Sequence, residues 1–243
     1  MKASTLFLLA LLACSLALAQ DAPPAPPPPA WTSSLGAGLA LTDGNSDTSS
    51  INLAFGTVWD PKTDRTFKAD AVYLRGEADG ETNSDKTAAN GRYERSYDRR
   101  FWFGELSYLR DALKGMDYLI SPIAGVGYHL VRTDTRTLSV DAGVGAAFES
   151  TEGIGSDSSG AIKAGEAFDW AISPVSRFTQ RLNGLWKADD FDDSFYHFDA
   201  GIATTIAARA ELKVSYIYDY KNLPPPGLEK GDSALFAALL YKF

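Results

Sequence analysis

Apolar side chains stand at every second position along most of this chain, from Trp31 to Phe243. The segment from Thr137 to Glu149 shows this best, because Leu138, Val140, Ala142, Val144, Ala146 and Phe148 alternate with small, polar or charged residues. A period of two places alternate side chains on opposite faces of a β-strand, whereas a helix repeats every ~3.6 residues. The chain is therefore predicted to be all-β.

Twelve segments with this alternation can be counted, each of roughly 10 to 13 residues. Three are weaker, namely Arg65–Arg75, Ser84–Tyr97 and Gly160–Ile172, and Glu166 falls on the apolar face of the last of them. In other segments the predicted apolar face carries Leu35, Ala37, Leu39, Leu41, Ile51, Leu53, Phe55, Trp59, Trp102, Leu106, Tyr108, Ile120, Ala124, Val126, Tyr128, Phe178, Leu182, Trp186, Tyr196, Phe198, Ile202, Ile206, Leu212, Val214, Tyr216, Tyr218, Tyr220, Leu235, Leu239, Tyr241 and Phe243.

The breaks between segments alternate in length. The five short breaks are Pro61–Asp64, Asp98–Arg100, Arg132–Arg136, Ser173–Ser176 and Ala207–Arg209. The six mostly longer breaks are Asp43–Thr48, Gly76–Asn83, Asp111–Asp117, Ser150–Ser159, Asp189–Ser194 and Lys221–Gly231. Twelve antiparallel strands connected in this way have both termini at the end of the short turns.

Segment length and aromatic placement favour lipid on the apolar face. Tilted strands of this length match the apolar band of about 25 Å in a transmembrane barrel and exceed the usual ~5 to 6 residues of globular strands. Aromatic residues fall mainly near segment ends, as interfacial girdles do: Trp59, Tyr73, Tyr97, Trp102, Tyr108, Tyr128, Trp170, Trp186 and Tyr220. Because backbone groups cannot stay unpaired in hydrocarbon, such a sheet must close. Residues 31–243 are thus predicted to form a closed antiparallel transmembrane β-barrel with both termini periplasmic.

The first thirty residues carry export features. A positive charge at Lys2 precedes an apolar run that ends at Ala19, which indicates a secretory signal peptide over residues 1–19 rather than a membrane anchor. The sequence before Cys14 also resembles a lipoprotein lipobox, which would leave a lipidated Cys14 at the N-terminus, and this alternative stays open. Residues 20–30 are rich in proline and predict an extended periplasmic linker. We expect a protein exported to the outer membrane of a Gram-negative cell.

The last segment resembles the C-terminal signal of bacterial outer-membrane barrels, which the barrel assembly machinery recognises by a terminal aromatic residue and alternating apolar positions. Leu239, Tyr241 and Phe243 match that signal. Ala238 stands where glycine is frequent, and Phe236 where a polar residue is. The resemblance implies the assembly machinery as a partner, beside outer-membrane lipid and lipopolysaccharide.

The first segments resemble a known family. Leu35-Gly36-Ala37-Gly38-Leu39-Ala40-Leu41-Thr42 leads into Gly44-Asn45-Ser46-Asp47-Thr48-Ser49, as at the start of the salt-induced outer-membrane protein family, domain of unknown function family 481 of Gram-negative bacteria. Tyr108-Leu109-Arg110-Asp111 and Gly125-Val126-Gly127-Tyr128 are further points of similarity. The resemblance implies an outer-membrane barrel with a link to salt stress, and it brings no functional residues.

Composition and motifs predict no catalytic, cofactor or metal site. A net charge of -8 argues against a nucleic-acid partner. His129 and His197 fall on the polar face and are interpreted as lumen-lining hydrogen-bonding groups. Asp43, Asn45 and Asp47 resemble the opening of a calcium loop, but the rest of that motif is missing and an Asx-rich turn is expected. The acidic segment Asp189–Asp193 is interpreted as a solvated loop, with loose cation bridging to lipopolysaccharide phosphates as the alternative.

The polar face carries seven bases and six acids: Lys68, Asp70, Arg92, Glu94, Glu105, Asp141, Lys163, Asp169, Arg177, Arg181, Lys187, Asp199 and Lys213. This balance suggests mutual pairing and a constricted lumen. We expect a monomeric, non-catalytic outer-membrane barrel that serves envelope structure or limited solute passage under osmotic stress. A phospholipase-like lipid-active enzyme and a soluble periplasmic β-barrel ligand carrier are the alternatives.

Overall fold

A computed structural model describes residues 30–43, 48–78, 81–153 and 155–243. The predicted signal peptide at 1–19, nearly all of the linker at 20–30 and the motif residues 44–47 lie outside the described residues. The strands are β1 (Trp31–Asp43), β2 (Thr48–Trp59), β3 (Arg65–Ala78), β4 (Glu81–Tyr97), β5 (Arg100–Asp111), β6 (Met116–Arg132), β7 (Arg136–Thr151), β8 (Gly155–Ala171), β9 (Ser176–Lys187), β10 (Ser194–Ala207), β11 (Ala210–Lys221) and β12 (Gly231–Lys242). A single 3₁₀ turn over Ala112–Lys114 precedes β6, and no helix in the described ranges is long and apolar enough to cross a membrane.

The twelve strands form a closed antiparallel barrel, as predicted. Each strand pairs with the next along the chain, and β1 pairs with β12 in the register Leu35 to Tyr241 and Ala37 to Leu239. Two backbone hydrogen bonds of 3.0 and 2.9 Å join Ser33 and Phe243 at the end of this seam. The sheet therefore has no free edge, which satisfies its backbone hydrogen-bonding groups internally.

The five predicted short turns all connect strands at one end of the barrel, the end where β1 begins and β12 finishes. We call this the turn end and the opposite one the loop end. Two breaks that were predicted to be long are short, since β3 continues to Ala78 and β4 begins at Glu81, while β7 continues to Thr151 and β8 begins at Gly155. These extensions are polar and lie beyond the apolar part of their strands. Hydrophobic alternation therefore gave no signal there, although backbone pairing continues.

The apolar face of every strand points outward. Leu39 is 67% exposed, and Val126 and Val144 are each 66% exposed. The opposite face is enclosed, with Phe103 at 1% exposure. This arrangement excludes a soluble carrier of the lipocalin type, in which the apolar face would line the interior.

Aromatic side chains cluster near the two ends of the barrel wall. At the turn end, the rings of Trp31 and Trp59 lie 6.2 Å apart. At the loop end, Trp186 and Tyr196 meet edge to face at 5.6 Å, and the indole nitrogen of Trp186 donates to the Tyr196 hydroxyl at 3.1 Å. Two belts of amphipathic rings thus flank an apolar band, as the sequence pattern predicts.

Candidate functional site in the barrel lumen

The lumen holds the charged side chains that the sequence assigned to the polar face. Strand register places all of these predicted bases and acids on the inner side of the wall. Further charged side chains that the sequence analysis did not assign to the polar face also lie in the lumen: Lys86, Asp111, Lys114, Glu149, Glu211, Asp219, Lys221, Asp232 and Lys242. Most of them occupy the inward parity of their own strands, so alternation alone could have identified them.

A first ionic cluster lies at mid-height against β4, β5, β7 and β8, and we call it the mid-barrel network. The Arg92 guanidinium donates to Glu94 at 2.6 Å, to Glu105 at 2.9 Å and to Asp141 at 2.9 Å. The Lys163 ammonium donates to the other oxygen of Glu105. All five side chains are largely buried. Because every charge has a partner, this arrangement offsets the cost of removing the charges from water.

Apolar rings fill the space beside this network, which the sequence analysis did not predict. The Arg92 guanidinium stacks over the Phe103 ring, 3.8 Å from its centroid. Phe101 and Phe103 are buried with further apolar side chains of the inner wall: Met116, Leu119, Ile123, Ala147 and Ala161. The mid-barrel network and this apolar cluster together define the packed sector of the lumen, formed by β4 to β8.

Glycines on the inner face of β6 and β7 make room for these rings. A Cβ atom added at Gly125 would lie 2.7 Å from the Phe103 ring, and one at Gly127 would lie 2.1 Å from the Phe101 ring. The Gly125-Val126-Gly127-Tyr128 motif therefore has a packing role, in which small inner residues alternate with outward Val126 and Tyr128.

A second ionic cluster lies at the loop end and connects strands that are not neighbours in the sheet. We call it the loop-end network. Asp219 on β11 accepts a hydrogen bond from Lys86 on β4 and contacts Nδ1 of His197 at 2.6 Å. Lys114, in the turn before β6, lies 2.5 Å from Asp232 on β12. These contacts reach across the lumen because the partners stand on distant parts of the wall.

Glu149 and two lysines complete the loop-end network. Glu149 on β7 accepts from Lys221 on β11 and lies 3.0 Å from Lys187 on β9. Lys187 also approaches Asp193 at 2.6 Å and Asp157 at 3.3 Å. Asp193, which the sequence placed in a solvated acidic loop, is therefore tied to the barrel mouth. The result is a layer of paired charges across the loop end.

Another part of the wall, formed by β2, β3 and β9 to β11, is different. It carries Lys68, Asp70, Arg177, Arg181, Asp199 and Lys213, which we call the open sector. Arg181 lies 3.6 Å from Asp169, and no ion pair joins the other five to any described residue. Asp70 and Arg177 are exposed to solvent although they face inward. Water therefore enters this part of the lumen.

Both histidines face the lumen, and His197 contacts the Asp219 carboxylate through Nδ1 at 2.6 Å. Its predicted role as a hydrogen-bonding group of the lumen is confirmed. His129 also faces the lumen as predicted, where it stacks on Phe101 at 4.8 Å and its Nδ1 atom is buried without a hydrogen bond. Both rings lie on the inner face of the wall. A lipid-hydrolysing site would have to open on the outward apolar face instead.

The described residues contain no group of three or more His, Cys, Asp or Glu side chains that could hold a metal ion. Most of the segment with calcium-loop character lies at 44–47, outside the described residues. In the acidic loop, the Asp190 carboxylate accepts from the backbone N–H of Asp192 at 3.0 Å, which is an Asx-turn contact.

A groove of about 540 Å³ lies on the outer wall near the loop end. Its lining combines the rings of Phe191, Tyr196, Phe198, Tyr218 and Tyr220 with polar Asp192, Ser194 and Asn222. The Asn222 amide donates to the Asp192 carbonyl at 2.9 Å, which anchors the β9–β10 loop over the groove. The groove is separate from the lumen because its strand residues face outward.

Comparison with solved structures defines the class of fold. The NanC porin matches with a TM-score of 0.58 at 6% identity, over 86% of this chain and 100% of that one. An outer-membrane channel from Pseudomonas putida F1 matches with a TM-score of 0.53 at 13% identity, over 92% of this chain and 100% of that one. The translocator domain of the autotransporter NalP from Neisseria meningitidis matches with a TM-score of 0.51 at 13% identity, over 99% and 96%. The fold is thus that of small outer-membrane porins and channels.

The family follows from the sequence itself. The model of the DUF481 family, described as a protein of unknown function, matches residues 35–243, and the chain belongs to that family. This confirms the resemblance seen in the first segments. A search of curated protein sequences finds no match.

Proposed function

We propose that this protein is an outer-membrane β-barrel whose constricted lumen allows at most limited passage of small solutes. The location is supported by the outward apolar band, the two aromatic belts and the closed sheet, which together meet the requirements of a bilayer. We place the turn end and both termini in the periplasm, because short turns face the periplasm in barrels of this type and longer loops face outside.

The main support for a constricted lumen is the set of ion pairs that cross the loop end. Lys86 and Asp219 connect β4 to β11, and Lys221 and Glu149 connect β11 to β7. Below this layer, the packed sector fills one side of the lumen. Water and small ions retain a path along the open sector up to the loop-end network, where passage is narrowest.

Recording in planar lipid bilayers tests the constriction. Wild-type protein is expected to show small conductance, and Lys86→Ala combined with Lys221→Ala should increase it because both crossing contacts are removed. Lys62→Ala is the matched control, since Lys62 pairs with Asp60 in an exposed turn and touches no lumen group. Migration without boiling shows whether each variant is folded. Large, stable open steps from the wild-type protein would refute the constricted lumen.

Lipid and the assembly machinery are the proposed partners. Tyr241 and Phe243 point outward at 51% and 65% exposure on the strand that closes the barrel. This supports recognition of Leu239, Tyr241 and Phe243 by the assembly machinery before closure. The aromatic groove at the loop end lies where outer-leaflet lipopolysaccharide would contact the wall. Replacing Phe243 with alanine should reduce the amount of folded protein in the outer membrane, measured by fractionation.

The salt-stress link is a separate part of the proposal. It is supported by the family resemblance, and the described geometry contributes a lumen crossed by paired charges. A strain lacking this protein should grow more slowly than its parent in high salt, and expression of the Lys62→Ala variant should restore growth. Equal growth of the two strains would contradict the osmotic role while leaving the channel proposal intact.

A further inference from the structure

The carboxylate of Glu166 lies on the outer wall, which faces hydrocarbon in a membrane barrel. Glu166 on β8 stands opposite Val140 on β7 and Leu182 on β9 in the register. Val140 is exposed on the outer wall, as is Leu182, so Glu166 points outward between them. Its carboxylate accepts a hydrogen bond of 2.8 Å from the amide of Gln180, an outward-facing residue of β9.

The depth of this pair is unusual. Glu166 stands five residues before the last residue of β8, and Gln180 is the fifth residue of β9. On the same two strands, Trp170 lies toward the turn end and Trp186 toward the loop end, so the pair lies between the aromatic belts. Other outward ionisable side chains that the structure describes lie nearer the ends of the wall. Arg75 and Asp85 face each other just before the polar loop-end residues of β3 and β4, and the rest lie within three residues of a strand end: Arg65, Arg95, Arg100, Arg110 and Arg136. Glu166 is therefore the ionisable group that would meet hydrocarbon at mid-depth.

Such a position requires a partner. Ionisable groups at mid-depth on a lipid-facing wall destabilise a barrel. The bond to Gln180 uses one carboxylate oxygen and one amide hydrogen. The second oxygen of Glu166 and the second amide hydrogen of Gln180 form an acceptor and a donor side by side on the outer wall.

Short side chains lie beside the pair on two sides. Ala142 and Ala164 are register partners in the row next to Glu166, on the loop-end side. Gly184 continues that row, and the Trp186 ring lies over it, 2.5 Å from where a Cβ atom would stand. Ala200 is the register partner of Gln180 on β10. A second protein wall can therefore approach the polar pair at these alanines.

We propose that this face, formed by β7 to β10 around Glu166 and Gln180, is the interface of a homodimer. A two-fold axis along the membrane normal places the same residues of two copies at the same depth. The free amide hydrogen of Gln180 in each copy then donates to the free oxygen of Glu166 in the other. The proposal rests on the proposed membrane location, and it replaces the expectation of a monomer.

Cysteine cross-linking in membranes tests the interface. In a chain with Cys14→Ser, Ala164→Cys should form a disulfide between two copies under mild oxidation. Ala37→Cys is the depth-matched control on β1, whose outward face lies away from β7 to β10, and it should remain monomeric. Equal cross-linking at both positions, or none at Ala164→Cys, would overturn the proposal.

A second measurement tests whether the dimer depends on the hydrogen bonds of Glu166 and Gln180 or on general packing of the two walls. Glu166→Leu with Gln180→Leu should convert the dimer to monomer by native mass spectrometry, whereas Glu166→Gln should keep it because amides can exchange the same hydrogen bonds. The matched control is Ser33→Ala with Thr57→Val, which removes another outward polar pair, joined at 2.9 Å on β1 and β2. A dimer that survives the double leucine change refutes the interface. Loss of the folded membrane form in the wild type would instead refute the membrane location.

Discussion

The packed sector and the open sector share one lumen, yet their charged side chains differ in ion pairing. In the packed sector, Arg92 has three carboxylate partners and an aromatic ring against its face. In the open sector, Lys68, Asp70 and Lys213 interact at longer range and have no ion pair with a described residue. The difference shows that one lumen can hold buried, fully paired charges in one part and charges without ion pairs in another.

Dehydration explains why the two sectors differ in pairing. Glycines on β6 and β7 admit Phe101 and Phe103, and the rings exclude water from the charges beside them. A dehydrated charge without a partner is strongly unfavourable, so each one is matched. In the open sector water solvates the charges, and pairing is not required.

The largest effect is expected from Arg92→Ala. Removing the guanidinium leaves Glu94, Glu105 and Asp141 close together in the packed sector, which should lower the free energy of unfolding by about 3–5 kcal/mol. Arg177→Ala in the open sector should change it by less than about 0.5 kcal/mol. Urea unfolding of both variants in lipid vesicles measures the difference, and equal stabilities would remove the distinction between the sectors.

A smaller effect is expected from adding one methyl group to the wall. In Gly125→Ala the new Cβ would lie 2.3 Å from the Ala142 carbonyl oxygen and 2.7 Å from the Phe103 ring. We expect a loss of about 1–3 kcal/mol in the free energy of unfolding. Gly56→Ala, beside the open sector, would place its Cβ 3.2 Å from the Ser34 hydroxyl and should be nearly neutral. Urea unfolding in lipid vesicles measures both variants. An unchanged free energy of unfolding in Gly125→Ala would contradict tight packing around Phe103.

Thiol accessibility compares the sectors without changing a charge. With Cys14→Ser, a cysteine at Val58, which is 39% exposed beside Lys68, should react with a small water-soluble maleimide. A cysteine at Ala147, which is 1% exposed within the apolar cluster, should react at least about tenfold more slowly. Mass spectrometry of timed samples gives both rates. Similar rates would show that water reaches both sectors equally.

The smallest effect is expected outside the lumen. A hydrogen bond from the exposed Arg95 lowers the pKa of Asp64 in the turn before β3. Since the pKa is lower in the folded state, any stabilisation is present at neutral pH and is lost as the pH falls through the folded value. Asp64→Asn should leave the unfolding midpoint at pH 7 almost unchanged, because solvent screens the pair. A clear drop in the unfolding midpoint would mean that turn contacts stabilise the protein as much as lumen contacts do.

The fold was predictable because lipid outside a barrel imposes a strict alternation. The alternate apolar residues between Leu138 and Phe148 on β7 face outward as their spacing predicts. The turns at Asp98 and Ala207 lie where this alternation stops, as predicted. Strand ends were harder, since the polar extensions at Ala78 and Gly155 carry no hydrophobic signal. Pairing between backbones, rather than side-chain pattern, continues the sheet there.

The interior was predictable in part. The polar parity of each strand located Arg92, Glu105 and Lys163, and the balance of signs indicated mutual pairing. Which charges meet depends on tilt and register, so the contact of Lys86 with Asp219 could not be read from spacing. Phe103 and Ile123 also face inward, and an alternation rule that assigns apolar residues to lipid has no means of finding them.

The seam between β1 and β12 has a consequence for how the molecule is made. The ring can close only when the strand ending at Lys242 meets the strand beginning at Trp31, which separates the two partners by nearly the whole polypeptide. Until then both outer edges offer unpaired amides and carbonyls to any neighbouring chain. Ring closure therefore competes with edge-to-edge aggregation during maturation. A higher concentration of unclosed chains should favour aggregation.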